Sequence, residues 1–312
     1  MKPRDGLEVR FLGLLLFIGC LKRQPIFLKR ILNQLYKVNK EIKLGTEEYL
    51  KVAQQTLDKT IRLIAKSVNN GLANTKDDVA MSFSLMVGPI LDTSNSLLVL
   101  STMGKMRDCY SLSRIIFDHV LNLGYFGAKG EETVKKALQH YHQKAFRDLD
   151  RKIEIKDLAF GIGLKDIDKE PISDKLKEAL NYFTSNKGFE IRSWTGDNVF
   201  KKIEIIRDYY GKEIGMMLVI NLFFIYRHSS EIMHGTLFGS LFARGMTKPE
   251  SEQPNDEKEL EIFHRTRISF VLICSILLNY VTFSVINKHY PRQKEMDELS
   301  ELIKDFRITL YQ

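Results

Sequence analysis

Apolar residues recur at intervals of three and four along almost the whole chain, which is the helical period. In EEYLKVAQQTLDKTIRLIAKSV, Tyr49, Val52, Leu57, Ile61, Ile64 and Val68 form one stripe behind a Thr46 cap and ahead of an NNG stop. The same reading predicts further helices over about 25–42, 76–87, 90–103, 106–126, 131–153, 173–185, 197–210, 213–237, 257–288 and 293–307. No strand pattern competes. The stretch LAFGIGLKDIDKEP from Leu158 is glycine-rich and reads as a connecting loop, strand-like for a few residues at most. Its glycines do not follow a strand and open a helix, so they make no phosphate cradle. RGMTKPESEQPNDEKE, from Arg244 to Glu259, mixes proline, serine and acidic residues as an exposed linker does. There is no internal repeat. The expected fold is all-α, a multi-helix bundle of roughly ten helices. Its expected parts are a basic N-terminal helical extension (1–75), a central helical domain (76–240), a linker (241–258) and C-terminal helices (259–312) that pack on the central domain.

Composition narrows the class without choosing a function. The 312 residues are 44% hydrophobic and 28% charged, with 19 glycines and 7 prolines, as in a chain folded almost throughout. A net charge of +8 attracts phosphate-bearing partners without specifying one. Cys20, Cys109 and Cys274 are too few and too scattered for a disulfide framework or a cysteine zinc site, and fit a reducing compartment. FLGLLLFIGC, residues 11–20, has the length of a secretory signal and ends in a cysteine, like a lipoprotein cleavage site. Asp5 and Glu8 sit where a leader is positive, and Lys22, Arg23, Lys29 and Arg30 follow where positive charge opposes export. A cytoplasmic protein is therefore expected, with a lipid anchor through Cys20 as the alternative. The run from Ile268 to Ile286 is long enough to span a bilayer, but Asn279, Thr282 and its three serines favour a core helix.

Candidate chemistry concentrates in YRHSSEIMHGT, Tyr226 to Thr236. Residues seven apart on a helix return to nearly the same angle, about 10 Å further along the axis. Arg227 and His234 are so spaced, and Ser230 and Glu231 lie between them on the same face. Ile220, Phe223 and Phe224 continue the stripe upstream, an apolar run that is expected to place it at the edge of the core. Gly235 and Gly239 mark the stop.

An arginine and a histidine separated as in RHSSEIMH resemble the R-x4–6-H motif of the HEPN superfamily, an all-α group. The resemblance implies metal-independent endoribonuclease activity in toxin–antitoxin or antiviral systems, with two protomers bringing their Arg/His helices together. A wider stretch, about Val87 to Leu237, resembles bacterial helical domains of unknown function. These share a helix like SRIIFDHVLNLGYF, then a tryptophan (here Trp194), then a helix carrying tyrosine, serine and histidine. RNA, a second copy of the chain and a neutralising protein antitoxin are the implied partners, with no cofactor and no metal.

In that reading His234 is the general acid/base, Arg227 binds the scissile phosphate, and Ser230 or Tyr226 positions it. A second instance of the motif, Arg114 to His119, diverges by about 140° around a helix. The better pair there is Arg114 with Asp118, four apart; Asp118 would reach Arg227 or His234 if the two helices pack together. The alternative function is a non-catalytic helical interaction module, lipid-anchored or membrane-associated in one form. There Arg227 pairs with Glu231 or Asp118 and His234 bonds a carbonyl, all as structure. His140 and His142, two apart, point away from each other and make a poor metal pair. Trp194 is expected to anchor a loop before a helix start at Thr195/Asp197.

Overall fold

The computed structural model describes residues 45–71, 78–163 and 172–309. The signal-like segment 11–20, Cys20 and the helix expected at 25–42 lie outside them. Among the described residues there are ten helices: α1 (Glu47–Gly71), α2 (Asp78–Thr102), α3 (Met106–Lys129), α4 (Glu131–Asp148), α5 (Asp174–Tyr182), α6 (Val199–Tyr210), α7 (Lys212–Asn221, continued by a π turn Leu222–Tyr226 into Arg227–Met233), α8 (Leu237–Ala243), α9 (Glu257–His289) and α10 (Gln293–Thr309). One antiparallel hairpin, β1 (Asp150–Ile155) and β2 (Leu158–Gly163), lies between α4 and α5. The architecture is all-α, as the periodicity predicts.

The core forms where α3, α9, α2 and α1 meet, with α6 and α7 closing the other side of α3. Tyr49, Leu57, Ile61 and Ile64 of α1 are buried, as are Ile116, Phe117, Val120 and Leu123 of α3. Each large apolar side chain so buried contributes about 1.5–3 kcal/mol before entropy is counted. Helix α9 and residues 79–102 of α2 are both long and apolar enough to cross a membrane; the most apolar window of α9 is 72% buried inside the protein, that of α2 28%. The polar residues of α9 face inward as ties. Asn279 Nδ2 donates to Ser94 Oγ of α2 at 3.2 Å, and the hydroxyls of Ser275 and Ser113 of α3 lie 3.2 Å apart.

Four expectations about the elements are corrected. A break at Gly88–Pro89 does not form, and α2 runs through it. Proline removes one backbone donor, but Pro89 and Leu85, whose carbonyl loses its donor, both lie on the exposed side, where water can replace the bond. The helix expected to 153 ends at Asp148, and the first six residues of the glycine-rich stretch, Leu158–Gly163, read as a loop that is strand-like for a few residues at most, form the second strand of the hairpin. The 213–237 helix stops at Met233, because Gly235 takes a left-handed φ of 63°. Thr236 then caps α8, accepting from the Gly239 N–H at 3.0 Å.

Candidate functional site

The site is built on the second half of α7. Its first half buries Met217, Leu218 and Asn221; the chain then widens into the π turn, and Ile225, Ser229 and Ile232 continue the buried line. A π turn carries more residues per turn than an α-helix, so a buried line advancing by four stays on one side. The turn leaves carbonyls to satisfy. Ser229 Oγ donates to the carbonyls of Ile225 at 2.6 Å and Tyr226 at 3.1 Å, and Arg114 of α3 donates to that of Tyr226 at 3.3 Å.

This geometry corrects one residue of the expected stripe. Phe223 is 56% exposed, whereas Ile220 is half-buried and Phe224 packs against the core, 4.8 Å from the Phe270 ring, so the stripe leading into Arg227 runs along the boundary between core and surface. From Arg227 onward the helix is regular, and the His234 N–H still donates to the Ser230 carbonyl at 3.0 Å. Arg227 and His234 therefore share one exposed face, about 10 Å apart along the axis, with Ser230 half-buried between them. The side chains of Arg227, Ser230 and His234 make no hydrogen bond or ion pair with any described residue.

The neighbouring candidates are engaged elsewhere. Arg114 Nε donates to Asp118 Oδ2 at 3.1 Å, and its guanidinium lies 3.4 Å from the centroid of the Tyr226 ring. Phe117 packs edge-on against the same ring, at 5.7 Å. The expected Arg114–Asp118 pair forms, and although α3 and α7 pack together, Asp118 makes no bond to Arg227 or His234. Nor does Glu231 pair with Arg227: its carboxylate accepts from the Thr236 hydroxyl at 2.7 Å, at the corner between α7 and α8. Gly239 allows that corner to close, since a Cβ there would meet the Glu231 carbonyl oxygen at 2.5 Å.

A family model described as a family of unknown function, DUF5677, matches residues 81–251, just over half of the chain and the whole of this site. The chain belongs to that family. No curated protein and no solved structure matches it. The DUF5677 region starts within α2 and ends just before α9, so α3, the Trp194 loop and α7 all fall inside it.

Within the DUF5677 region two groups escaped the sequence reading. His228, next to Arg227, turns inward and stacks on Phe242 of α8 at 4.4 Å, with Tyr110 of α3 edge-on at 6.2 Å. Burial, then the positive charges of Arg267 and Arg227, push its pKa down to about 4, so the ring is neutral near pH 7. Its sequence signal was only its place beside the motif. The other group continues along α3 from Arg114 and Asp118 to the half-buried Asn122 and the buried Tyr125. Lys202 of α6 donates to Asn122 Oδ1 at 2.8 Å and lies 4.7 Å from the Trp194 ring; burial lowers its pKa, against the attraction of Asp118 and Asp197. Tyr125 donates to Asp197 at 2.5 Å, and Trp194 packs on Phe126 at 5.0 Å, so the tryptophan loop is pinned to α3 as expected. The helix that follows is capped by Asn198, not Thr195 or Asp197. His140 is buried and bonds the Ile191 carbonyl, while His142 is exposed, so the two do not converge.

Proposed function

We propose that this DUF5677 protein is a HEPN-like RNA-binding protein whose Arg227/His234 face cleaves RNA without a metal. The observation that carries the reading is a guanidinium and an imidazole held on one exposed helical face, neither of them neutralised by the fold. Arg114, by contrast, is already paired with Asp118 and packed on the Tyr226 ring. In the reaction His234 takes the proton of a 2′-hydroxyl, the 2′-oxygen attacks the adjacent phosphorus, and the 5′-oxygen leaves with the returned proton. Arg227 forks onto the non-bridging oxygens as negative charge grows there, and Ser230 supplies a neutral donor between the two. Arg114 fixes the π turn that aims Arg227 outward, and so acts as a positioning residue.

The same reading gives the protein a cytoplasmic place in a bacterial defence or toxin system, with a neutralising protein partner. A second copy joins through the Arg/His face, where Val219, Phe223, Met233 and Leu237 are exposed around the polar stripe. The alternative, a non-catalytic interaction module, is favoured by one observation: the face lies open on the surface and not in a deep cleft. Purified protein incubated with total RNA in EDTA separates them. Cleavage that disappears in both Arg227→Ala and His234→Ala, with melting curves unchanged, supports the nuclease. Cleavage retained by either variant, or absent from the native protein at every concentration and pH, favours the module.

A further inference from the structure

The hairpin β1–β2 is the least covered part of the described chain. Its register pairs Ile153 with Phe160 and Ile155 with Leu158, so these four side chains share one face. They are between 56% and 70% exposed. No third strand is bonded to either edge among the described residues. A lone two-stranded ribbon is at best marginally stable in water, whereas three or more strands can hold. At its base the hairpin is tied by Arg151, which reaches Asp148 at 2.8 Å and Glu190 at 3.7 Å.

Backbone geometry says which groups are free. The turn Lys156–Asp157 has two residues, so the closing pair Ile155/Leu158 is hydrogen-bonded and the pairs alternate from there. Ile153 therefore bonds inward to Phe160, while Lys152 and Glu154 turn their N–H and C=O groups to the open edge of β1. A second copy added antiparallel along that edge, about a two-fold axis, can engage both residues in three registers. An axis at Lys152 sets that lysine opposite itself, and an axis at Glu154 sets that glutamate opposite itself; like charges directly opposite are destabilising. An axis at Ile153 sets each Lys152 opposite the Glu154 of the second copy.

We propose that β1 is a self-pairing edge, by which two copies of the chain join antiparallel about a two-fold axis through Ile153 into a four-stranded sheet. The pairing gives four backbone hydrogen bonds and two opposite-charge pairs on one face. On the other it merges the Ile153, Ile155, Leu158 and Phe160 side chains of both copies into one apolar layer. Charges on an exposed edge often serve to keep other strands away. Here they are of opposite sign and two residues apart, a pattern that in this register attracts. The contact is small, so the association is weak and concentration-dependent. It shares no residue with the Arg/His face and stands whether or not that face cleaves RNA.

The experiment follows amide exchange at positions 152 and 154 and the sedimentation mass of the full chain over a range of concentrations. Protection of both amides that grows with concentration is expected in the native protein. It should be lost in Lys152→Glu and in Glu154→Lys alone, and restored when the two variants are mixed in equal amounts, because each then faces its opposite charge. Amides whose exchange is independent of concentration overturn the proposal, even if the mass rises through another surface. So does protection that survives in either single variant.

Discussion

On the face of α7 turned toward α3 and α8, Tyr226 lies between the Arg114 guanidinium and Phe117, and His228 lies flat on Phe242. One residue away, Arg227 and its helical neighbour His234 project outward with no partner among the described residues. Both faces thus use a cation and an imidazole. What differs is how the surrounding fold holds them: Arg114 is bonded and stacked, and His228 is packed among rings with its Nδ1 buried and unbonded, whereas the outer pair is left in water. A matched polar group contributes to stability, whereas an unmatched, exposed one contributes almost nothing to it and is left free to act on something else. The two faces should therefore respond in opposite ways to the same kind of substitution.

The largest effect on stability is expected inside. Phe242 is 2% exposed and carries the His228 stack, the edge contact with Tyr110 and the Arg267 guanidinium 5.3 Å from its ring centroid. Phe242→Ala should cost about 3–5 kcal/mol, read as a lower denaturant midpoint at an unchanged slope. A loss below about 1 kcal/mol would mean that the inner face is not the anchor described here. Arg114→Ala comes next. It removes a charge-assisted bond to Asp118, a donor to the Tyr226 carbonyl and a stacked cation, together about 2–3 kcal/mol. Arg114→Lys should recover only part of this, because an ammonium cannot lie flat on the ring and fork to two acceptors at once.

His228 tests the comparison through pH. Its folded pKa of about 4 lies below the ordinary histidine value of 6.5, so between these values the unfolded chain binds the extra proton. The stabilisation is complete above about pH 6.5 and is lost as pH falls toward 4. The groups facing the ring are Arg267, Arg227 and Glu231, with Tyr110, Phe238 and Phe242 around it. In His228→Phe the stack is kept and the proton site removed. Unfolding measured from pH 7 to 4 should then fall less steeply than in the native protein. Parallel curves would place the acid sensitivity in other groups.

The helices were legible in the sequence because a single core selects apolar residues at a 3.6-residue period, which α1 and α3 carry over a long stretch, while α9, buried on nearly all sides, was legible as one long apolar run with polar ties. The π turn was not. It adds one residue to a turn, leaving the same apolar letters in Leu222–Tyr226 while moving Phe223 from the expected inner face to the outer one. Nor was the hairpin, since its apolar alternation covers only a few residues per strand and no glycine marks its turn. Lys156 occupies the left-handed position instead, at a φ of 55°. At the site, the shared face of Arg227 and His234 followed from spacing alone. The stacking of Arg114 on Tyr226 joins residues 112 positions apart, which local periodicity cannot relate.

The smallest effect on stability is expected on the outer face, and it is the one that most sharpens the contrast. Arg227, Ser230 and His234 have no internal bond to lose. Single alanine substitutions there should stay within about 0.5 kcal/mol of the native protein, and the triple variant should be close to the sum of the three. Two details can make this fail in an informative way. Arg227 is one of the charges that keeps the His228 proton off, so Arg227→Ala should raise the His228 pKa slightly and soften the acid-side loss of stability without changing the neutral-pH value. Ser230 lies closer to the core than its two neighbours, so its substitution should show any hidden packing role first. Unfolding curves of the triple variant that coincide with the native ones at pH 7, while RNA binding or cleavage is lost, would assign this face to a partner outside the chain. A loss of more than about 2 kcal/mol would instead place Arg227 and His234 in the same structural class as Arg114 and His228.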